Sequence, residues 1–411
     1  MTDRTSTHDV AKISGASEDD VESATSSLLD LKEPQPGYLD MIARGGYVEM
    51  SPGMGVSFDR VTSDHVLRNH QLFSSRVEMG LGNVRPLIPL NVDPPLHAKY
   101  RKLLDPLFAP RRMDAQEEDI ARRVNAFIDP FVERGECNFT EEFAEVLPSS
   151  VFLGLMGLPE DELDMFLHLR DGILHPEKID PDALLDMEVP QKIQAATGQE
   201  IYGYFGDVIS DRKRAPRDDV ISGFLAAEID GDRLTTDEVL DILFLFLIAG
   251  LDTVSDSLTC FYAFLAQNPE HRRQIVSDPS IIPSAVEELL RWESPVPVGV
   301  PRVATEDTEL PNGQSVAKGT AIMVCYGAAN VDPAVFTESR EVRLDREENR
   351  HIAFGGGVHR CLGSHLARRE LRVTLREWHK RIPDYRIKPG HEDLEYPPGL
   401  RHVKDLVLVW N

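Results

Sequence analysis

Residues 354–363 read FGGGVHRCLG, and this stretch decides the fold. Its three successive glycines let the backbone adopt conformations that other residues rarely take, and let it come close to a neighbouring group. Cys361 follows them, at the start of a helix that the sequence predicts over residues 362–381. A helix N-terminus stabilises a thiolate, and the N–H groups of a glycine-rich turn can point at the sulfur. The stretch therefore predicts one activated thiolate held by backbone amides.

Such a thiolate suits an axial haem ligand, because it pushes electron density to the iron and favours O–O cleavage. Two simpler interpretations of the segment stay open at this point. A glycine-rich turn before a helix can bind phosphate, although this turn lacks the G-K-[ST] of a phosphate-binding loop. A lone cysteine can also be a buried packing residue.

A second unusual segment is a helix predicted to run from Thr235 to about Asn268–Pro269. Thr235 and Glu238 have capping-box spacing, and about 32 residues would span about 48 Å. The middle of this helix is apolar on every side, so it should cross the protein interior. The same middle contains Gly250, which weakens a helix, and Asp252, which needs a partner when buried. Two such costs at one point of the core indicate a site; a kink beside a solvated Asp252 is the simpler alternative.

Composition and charge limit the possible partners. The chain has 411 residues, of which 41% are hydrophobic and 27% charged, with a formal net charge of -25. An acidic surface of this kind repels nucleic acid and anionic membranes. The four cysteines show no C-x-x-C spacing, which argues against a zinc site or a disulfide framework. The longest apolar run, Ile242–Leu251, is far shorter than the roughly 20 residues that cross a bilayer, and no signal peptide is evident. We expect a cytoplasmic protein without a membrane anchor.

The periodicity predicts a mainly α fold with a small β portion. We expect a flexible polar N-terminal tail over residues 1–30 and a single domain over residues 31–411, because no repeat or linker divides the chain. The strongest helical segments are residues 94–108, 115–133, 284–292 and 362–381, and the β-prone segments are residues 320–325 and 406–410.

The cysteine segment resembles the cysteine loop of the cytochrome P450 superfamily, whose pattern is F-x-x-G-x-[HR]-x-C-x-G. Five positions match this pattern: Phe354, Gly357, His359, Cys361 and Gly363. Residues 93–101, DPPLHAKYR, resemble the family's D-P-P-x-H-x-x-x-R motif, and residues 249–253, AGLDT, resemble its A-G-x-[DE]-T motif. The ordered motifs span roughly residues 66–410.

Two further motifs fall in the family's order. Glu288 and Arg291 resemble its E-x-x-R pair, and Arg346 stands where the family places the third member of that ion network. Arg302 lies in a segment that resembles the propionate-binding strand. Ser339 stands where many members have proline, and Val331 replaces a common arginine; neither position touches the proposed chemistry.

The resemblance implies the cytochrome P450 fold, with a long distal helix over haem b, the iron protoporphyrin IX cofactor. Cys361 would be the metal ligand, Phe354 would pack beside its sulfur, and Gly357 and Gly363 would complete the cofactor loop. The propionate groups would be held by His97, Arg101, Arg302 and His359.

The resemblance also implies an O2-dependent, ferredoxin-linked monooxygenase. Gly250 would leave space for O2, Thr253 would hydrogen-bond the bound oxygen, and Asp252 would relay protons from solvent. The expected reaction is hydroxylation of a small apolar substrate, such as a terpenoid or another compact hydrophobic compound. A fatty-acid or steroid hydroxylase is the alternative within the superfamily. Three further alternatives are a peroxide-driven enzyme, a non-catalytic haem sensor or carrier, and a thiol enzyme without haem.

The substrate pocket is also taken from the resemblance. Its expected walls are the loop 77–92, the distal helix, the segment 296–300 and the turn 399–403. The expected lining is aliphatic, which suits an apolar substrate, and comprises Leu87, Leu245, Ile248, Ala249, Val296, Val298, Val300 and Leu400. The chain looks most like the camphor-type hydroxylases, but it has no tyrosine between Ser75 and Tyr100. Arg85 falls near that place and would either pair with a substrate carboxylate or point to water.

Electrons must come from another protein, because the chain has no flavin or iron–sulfur motif. The resemblance implies a ferredoxin and its NAD(P)H-dependent reductase. Despite the acidic total, we expect a basic patch on the cysteine side, with the candidates Lys99, Lys102, Arg111, Arg112 and Arg360.

Overall fold

Helices make up most of the fold, as predicted, and only short strands accompany them. The structure is a computed structural model that describes residues 17–77, 80–229 and 231–411. Its α-helices are, in chain order, α1 Glu18–Leu29, α2 Pro34–Ala43, α3 Arg60–Arg68, α4 Leu96–Leu104, α5 Pro110–Asp114, α6 Glu117–Val132, α7 Val146–Met156, α8 Leu163–Leu174, α9 Pro176–Ile179, α10 Glu188–Arg214, α11 Val220–Ala226, α12 Thr236–Gly250, α13 Asp252–Gln267, α14 Pro269–Ser277, α15 Ile282–Glu293, α16 Tyr326–Ala329 and α17 Ser364–Arg381.

The strands form small sheets at the edge of the helical body. The largest sheet has five strands in the order β1-β2-β10-β7-β3, and a second sheet has the order β11-β12-β4. Both predicted β segments are present, as β10 and β12. The strands are β1 Tyr47–Ser51, β2 Met54–Ser57, β3 Phe73–Ser74, β4 Glu136–Asn138, β5 Glu228–Ile229, β6 Asp232–Arg233, β7 Arg302–Ala304, β8 Thr308–Glu309, β9 Ser315–Val316, β10 Ala321–Val324, β11 Arg386–Ile387 and β12 Val407–Val409.

The long central helix is interrupted, which corrects the prediction of one continuous helix. Its start is as predicted, because the Thr235 side chain accepts from the Glu238 N–H and the Glu238 carboxylate accepts from the Thr235 N–H. The break falls at Leu251, between α12 and α13. Gly250 lowers the helix propensity immediately before it, and the Thr253 hydroxyl donates to the Ala249 carbonyl at 3.1 Å. A threonine that bonds the carbonyl four residues back bends a helix.

The expectation of a flexible tail over residues 1–30 is wrong for its second half. Helix α1 covers Glu18–Leu29, and Ser17 caps it by accepting from the Asp20 N–H. Ala24 is fully buried in a cluster with Tyr38 and Met41. Because this apolar contact fixes one face, the polar composition of the segment describes only its outer face. Residues 1–16 lie outside the described part of the chain.

Two hydrophobic clusters meet around the cysteine helix α17. One contains Trp378 of α17 with Phe139, Phe143 and Tyr262. The other contains most apolar residues of α12, and Leu362 and Leu366 pack against it. The residue next to Cys361 therefore contacts the same core as the distal helix. Within the described ranges, no helix is long and apolar enough to span a membrane.

Candidate active site

The cysteine loop turns tightly because two of its glycines have positive φ angles. Gly355 and Gly357 both have φ of 65°, a conformation that residues with a Cβ rarely adopt. A Cβ on Gly357 would also lie 2.0 Å from the Leu67 carbonyl oxygen, so only glycine fits. The Cys361 N–H donates to the Phe354 carbonyl at 2.9 Å, which closes the loop and fixes where the sulfur stands.

Cys361 is the one exposed thiol among the four cysteines, since Cys137, Cys260 and Cys325 are buried. Its exposed surface lies at a point surrounded by protein, and burial still raises the pKa of the Cys361 thiol. The backbone N–H of Gly363 and the nearby arginines oppose that rise. The helix itself begins at Ser364, two residues later than predicted. An accessible sulfur in a fixed loop, beside an N–H donor, has the requirements of a metal ligand.

Phe354 is held by a cluster that the sequence did not indicate. The Arg368 guanidinium lies 4.3 Å from the centre of the Phe354 ring. Arg368 in turn pairs with Glu287 at 2.7 Å, and His351 bonds the same carboxylate at 3.0 Å. Burial would raise the pKa of Glu287, but the hydrogen bonds and charges of these partners lower it strongly. The cluster fixes Phe354 at the start of the cysteine loop.

Two histidines each have one buried nitrogen without a hydrogen-bond partner among the described residues. The Nε2 atoms of His97 and His359 are buried without a partner among the described residues, and their ring centres are 4.1 Å apart. Burial lowers the pKa of His97 to about 4 and that of His359 to about 3. Unpartnered buried polar atoms are rare and need an explanation. A buried acceptor such as a propionate oxygen would complete both rings.

A buried arginine completes this unfilled polar set. Arg302 is 4% exposed and, in the described part of the chain, bonds only the carbonyls of Val300 and Pro301. Its charge helps to lower the pKa of His359, so the two groups lie close together. Arg101 differs, because it pairs with Asp105 at 2.6 Å and donates to the Arg360 carbonyl at 2.7 Å. A buried cation without a carboxylate is costly, so the residues present fit a cofactor with acidic side groups.

The distal helix exposes two residues in its otherwise buried middle. Ala249 and Gly250 are exposed, whereas Ile248 and Leu251 on either side are buried. A Cβ on Gly250 would meet nothing nearer than 4.0 Å. This open space lies where the helix is interrupted, close in the chain to Thr253. Ala249, Gly250 and Thr253 therefore border open space along an otherwise buried helix.

Asp252 is buried and makes two charged contacts that the sequence did not indicate. His175 Nε2 lies 2.6 Å from Asp252 Oδ2, and Arg170 Nε lies 3.4 Å from Oδ1. Burial would raise the pKa of Asp252, but His175 and Arg170 lower it. The partner histidine is 77 residues away in the chain, so no local motif could have signalled it. The alternative of a solvated Asp252 is therefore wrong.

The predicted pocket residues do not all lie on an open surface. Val296, Val298, Val300 and Leu400 are partly exposed. Leu87 has no exposed surface and packs in the helical core, so it lies behind the wall rather than on it. Arg85 pairs with Asp241 at 2.9 Å, and its side chain is 36% exposed.

The three residues proposed for an ion network lie together in the core. Glu288 accepts from Arg291 at 2.8 and 2.9 Å and from Arg346 at 2.9 Å. Asn349 adds a further hydrogen bond at 3.0 Å. The Arg291 guanidinium also donates to the Ser339 carbonyl. This network ties α15 to the segment that leads to the cysteine loop.

Comparison with known proteins places the chain in a family. The family described as Cytochrome P450 matches residues 280–378. Probable cytochrome P450 127A1 of Sinorhizobium fredii is 35% identical over 349 residues, which cover 84% of this chain and 80% of that protein. Mycinamicin IV hydroxylase/epoxidase of Micromonospora griseorubida is 34% identical and covers 78% of this chain and 79% of its own. The crystal structure of CYP109E1 from Bacillus megaterium with corticosterone matches with a TM-score of 0.83 and 27% identity, over 92% of this chain and 99% of that chain.

The fold and the comparisons together define a haem-thiolate oxygenase. The chain belongs to the cytochrome P450 superfamily and is a monooxygenase. Its cofactor is haem with an axial cysteine thiolate, and its reaction uses O2, a redox partner and a substrate.

Proposed function

We propose that this enzyme hydroxylates an apolar substrate with O2 and electrons from a ferredoxin, using Cys361 as the haem ligand. His97, Arg302 and His359 would hold the propionates, with Arg101 supporting the loop through the Arg360 carbonyl. When bound, the haem supplies the activation of O2. The observation that carries the proposal is the open space at Ala249 and Gly250 inside a buried helix, beside the Asp252–Thr253 pair.

The chain's own residues would position the substrate and move protons. The partly exposed Val296, Val298 and Val300 offer aliphatic surface, which favours a compact hydrophobic compound. Asp252, held as an anion by His175 and Arg170, can accept a proton and pass it to the Thr253 hydroxyl. A non-catalytic haem carrier would need no such pair.

A steroid is the second candidate substrate. CYP109E1, whose structure this fold resembles, was crystallised with corticosterone, and a relative of 34% identity from Mycobacterium tuberculosis is a steroid C26-monooxygenase. A screen of terpenes and steroids should find a compound that displaces the iron-bound water and shifts the Soret band. Turnover of that compound with a surrogate ferredoxin, with one oxygen atom from labelled O2 in the product, would support the proposal. Binding without turnover would favour a carrier.

The Thr253→Ala variant tests the proton path. We expect peroxide release per NADPH oxidised to rise several-fold, because the hydroxyl that receives protons from Asp252 is lost. Thr253→Ser, which keeps the hydroxyl, is the matched control and should stay close to wild type. Unchanged coupling in Thr253→Ala would remove Thr253 from the proposed path. Peroxide and NADPH are measured in the same reaction.

Four of the cations predicted for the cysteine side form no ion pair in the described part of the chain and would suit an acidic ferredoxin. Lys102, Arg111, Arg112 and Arg360 form no ion pair with any described carboxylate, whereas Lys99 pairs with Asp232 at 3.5 Å. Besides burial, the charges of Arg360, Arg368 and Arg372 lower the pKa of His365, and the charge of Asp114 opposes them. On a chain of net charge -25, such a patch would direct an acidic partner to this face.

Charge reversal in the double variant R112E/R360E tests this surface. We expect reduction by ferredoxin to be at least about tenfold slower at low salt, since apposed like charges cost more than the ~1.4 kcal/mol of a tenfold change. The difference should shrink as salt screens the charges. Lys318→Glu, an exposed site on the β9–β10 turn, is the control. Stopped-flow reduction rates that depend neither on the salt concentration nor on the charge reversal would contradict this docking face.

The single domain over residues 31–411 and the cytoplasmic location stay parts of this proposal. Limited proteolysis that leaves residues 31–411 intact would support the first. Cell fractionation would test the second.

A further inference from the structure

A graded row of titratable groups leads from the surface to Asp252. The Glu177 side chain is 36% exposed, that of His175 is 24% exposed and that of Asp252 is 6% exposed. His175 Nδ1 lies 3.4 Å from Glu177 Oε1, and His175 Nε2 lies 2.6 Å from Asp252 Oδ2. One imidazole ring thus contacts a surface carboxylate on one side and the buried carboxylate on the other.

We propose that His175 carries protons from solvent to the Asp252 carboxylate and so acts as a positioning residue for oxygen activation. The inference rests on the proposed role of Asp252 and Thr253. Histidine suits this task because its charge changes in the physiological pH range. None of the family motifs in the sequence contains this residue, since it lies between α8 and α9 and reaches Asp252 only through the fold.

The proposed transfer moves one proton and no electrons. The His175 Nε2–H bond breaks as a bond forms between that proton and Asp252 Oδ2, which leaves a neutral ring and a neutral carboxylic acid. Asp252 then passes the proton towards the Thr253 hydroxyl and is again an anion. The ring, which is partly exposed, turns its free nitrogen to water, takes up a proton and returns. Solvent supplies the proton, and no oxidant or reductant is needed.

The surrounding charges favour a protonated ring while Asp252 is ionised. Burial would lower the pKa of His175, but its hydrogen bond to Asp252 and the charge of Asp252 raise it. The opposing cations are Arg170 of α8 and Lys178 of α9, and both are partly neutralised by Glu145 at 3.1 and 2.9 Å. The titratable and charged groups that face this site are Asp252 and Asp256 of α13, Arg170 and Asp171 of α8, Glu177 and Lys178 of α9, Glu145 before α7, and His402 before β12.

Asp256, a second buried acid nearby, does not offer the same route for protons as His175. Asp256 follows Asp252 by one helical turn, and burial together with the charge of Asp252 raises its pKa strongly. Its Oδ2 has no partner among the described residues. His402 Nδ1 is 3.7 Å from the other oxygen, which is too far for a hydrogen bond. Among the residues that the structure describes, only His175 forms a short direct contact that joins Asp252 to a more exposed group.

The test compares His175→Gln with a matched histidine elsewhere. Glutamine can still hydrogen-bond Asp252 but does not titrate. His271→Gln is the control, because His271 is 20% exposed and its Nδ1 also lies 3.4 Å from a carboxylate, that of Glu270. NADPH oxidation by the holoenzyme is measured with a surrogate ferredoxin and corticosterone as the probe, in H2O and in D2O, across pH. Because NADPH oxidation counts coupled and uncoupled turnover together, the pH profile and the solvent isotope effect identify the proton step.

We expect His175→Gln to oxidise NADPH about 100-fold more slowly, the lower range for a positioned proton-transfer group. Its rate should also lose the pH dependence that wild type shows as His175 deprotonates, and its solvent isotope effect should increase. A purely structural role of His175 would change neither the pH dependence nor the solvent isotope effect. Wild-type rate, pH profile and isotope effect in His175→Gln would overturn the proposal.

A second measurement does not use turnover. Histidine ring NMR of the ferrous carbon monoxide form should give a His175 titration above the ordinary value of about 6.5, and Asp252→Asn should lower it. A His175 ring that titrates identically in both proteins would overturn the proposed coupling. If Thr253→Ala also fails to uncouple the enzyme, the proposed function itself is wrong. If Thr253→Ala uncouples and His175→Gln behaves as wild type, only this inference fails.

Discussion

Replacing Cys361 by serine should remove the spectrum of a haem thiolate and nearly all monooxygenase activity. In wild type, carbon monoxide added to the dithionite-reduced protein should give a strongly red-shifted Soret band. The variant should lack this band, because serine offers no thiolate that pushes electron density to iron. Changing outer partners of a metal ligand costs about 10–100-fold, so losing the ligand itself should cost more than about 100-fold in the rate of substrate oxidation.

Cys137→Ala is the matched control for this experiment. Cys137 is buried on β4, away from the glycine loop, and burial raises the pKa of its thiol. The control should keep the red-shifted band and the activity. A wild-type band typical of histidine ligation would mean that Cys361 is protonated or displaced. A protein without a haem band, expressed with adequate haem supply, would contradict the assignment of Cys361 altogether.

The parts of the site that follow each other in the chain could be predicted from the sequence. Residues 354–363 contain both the glycines that the turn requires and the cysteine that the turn presents, so the motif and its geometry are one local property. The capping box at Thr235 is local in the same sense. Helix α15 and strand β10 also lie close to their predicted positions, because periodic apolar patterns describe elements that pack by one face.

The partners of buried charges could not be predicted in this way. The sequence marks Asp252 as costly in the core, yet its partners Arg170 and His175 come from α8 and the residue after it. The packing of α8 against α12 brings these partners near. Glu287, which organises Arg368 and His351, has partners 64 and 81 residues away. The sequence offers Arg85 a substrate carboxylate or water, and the structure shows that it pairs with Asp241. A charge shows that a partner is needed; the fold decides which residue it is.

Two other predictions are wrong because a local contact outweighs a regular sequence pattern. The distal helix is apolar throughout, so its periodicity predicts continuity, but Gly250 and the Thr253 hydroxyl weaken it at the same point. The polar segment before residue 30 forms a helix because a few residues such as Ala24 pack against α2. In both cases one or two contacts outweigh an average over many residues.

Replacing Glu288 by glutamine should destabilise the protein more than any change on its surface. Glu288 and Arg291 are fully buried, and Arg346 is nearly so. The variant keeps the volume of the side chain but leaves two buried guanidinium groups without their counter-charge. Breaking a buried ion pair on one side costs about 3–5 kcal/mol, and we expect a loss in this range in the free energy of unfolding measured with urea. Glu306→Gln, an exposed residue without an ion pair in the described structure, should change it by less than about 0.5 kcal/mol.

The effect of Glu288→Gln should also depend on pH, with a definite sign. Burial would raise the pKa of Glu288, but the hydrogen bonds and charges of Arg291 and Arg346 lower it below its ordinary value. A carboxyl group whose pKa is lowered by folding contributes stability above its unfolded value of about 4.3, and loses it as the pH falls through the folded value. The wild-type and variant free energies should therefore differ most near neutral pH and converge in acid. A difference that is absent at neutral pH, or that grows as the pH falls, would show that Glu288 does not hold the two arginines as an anion.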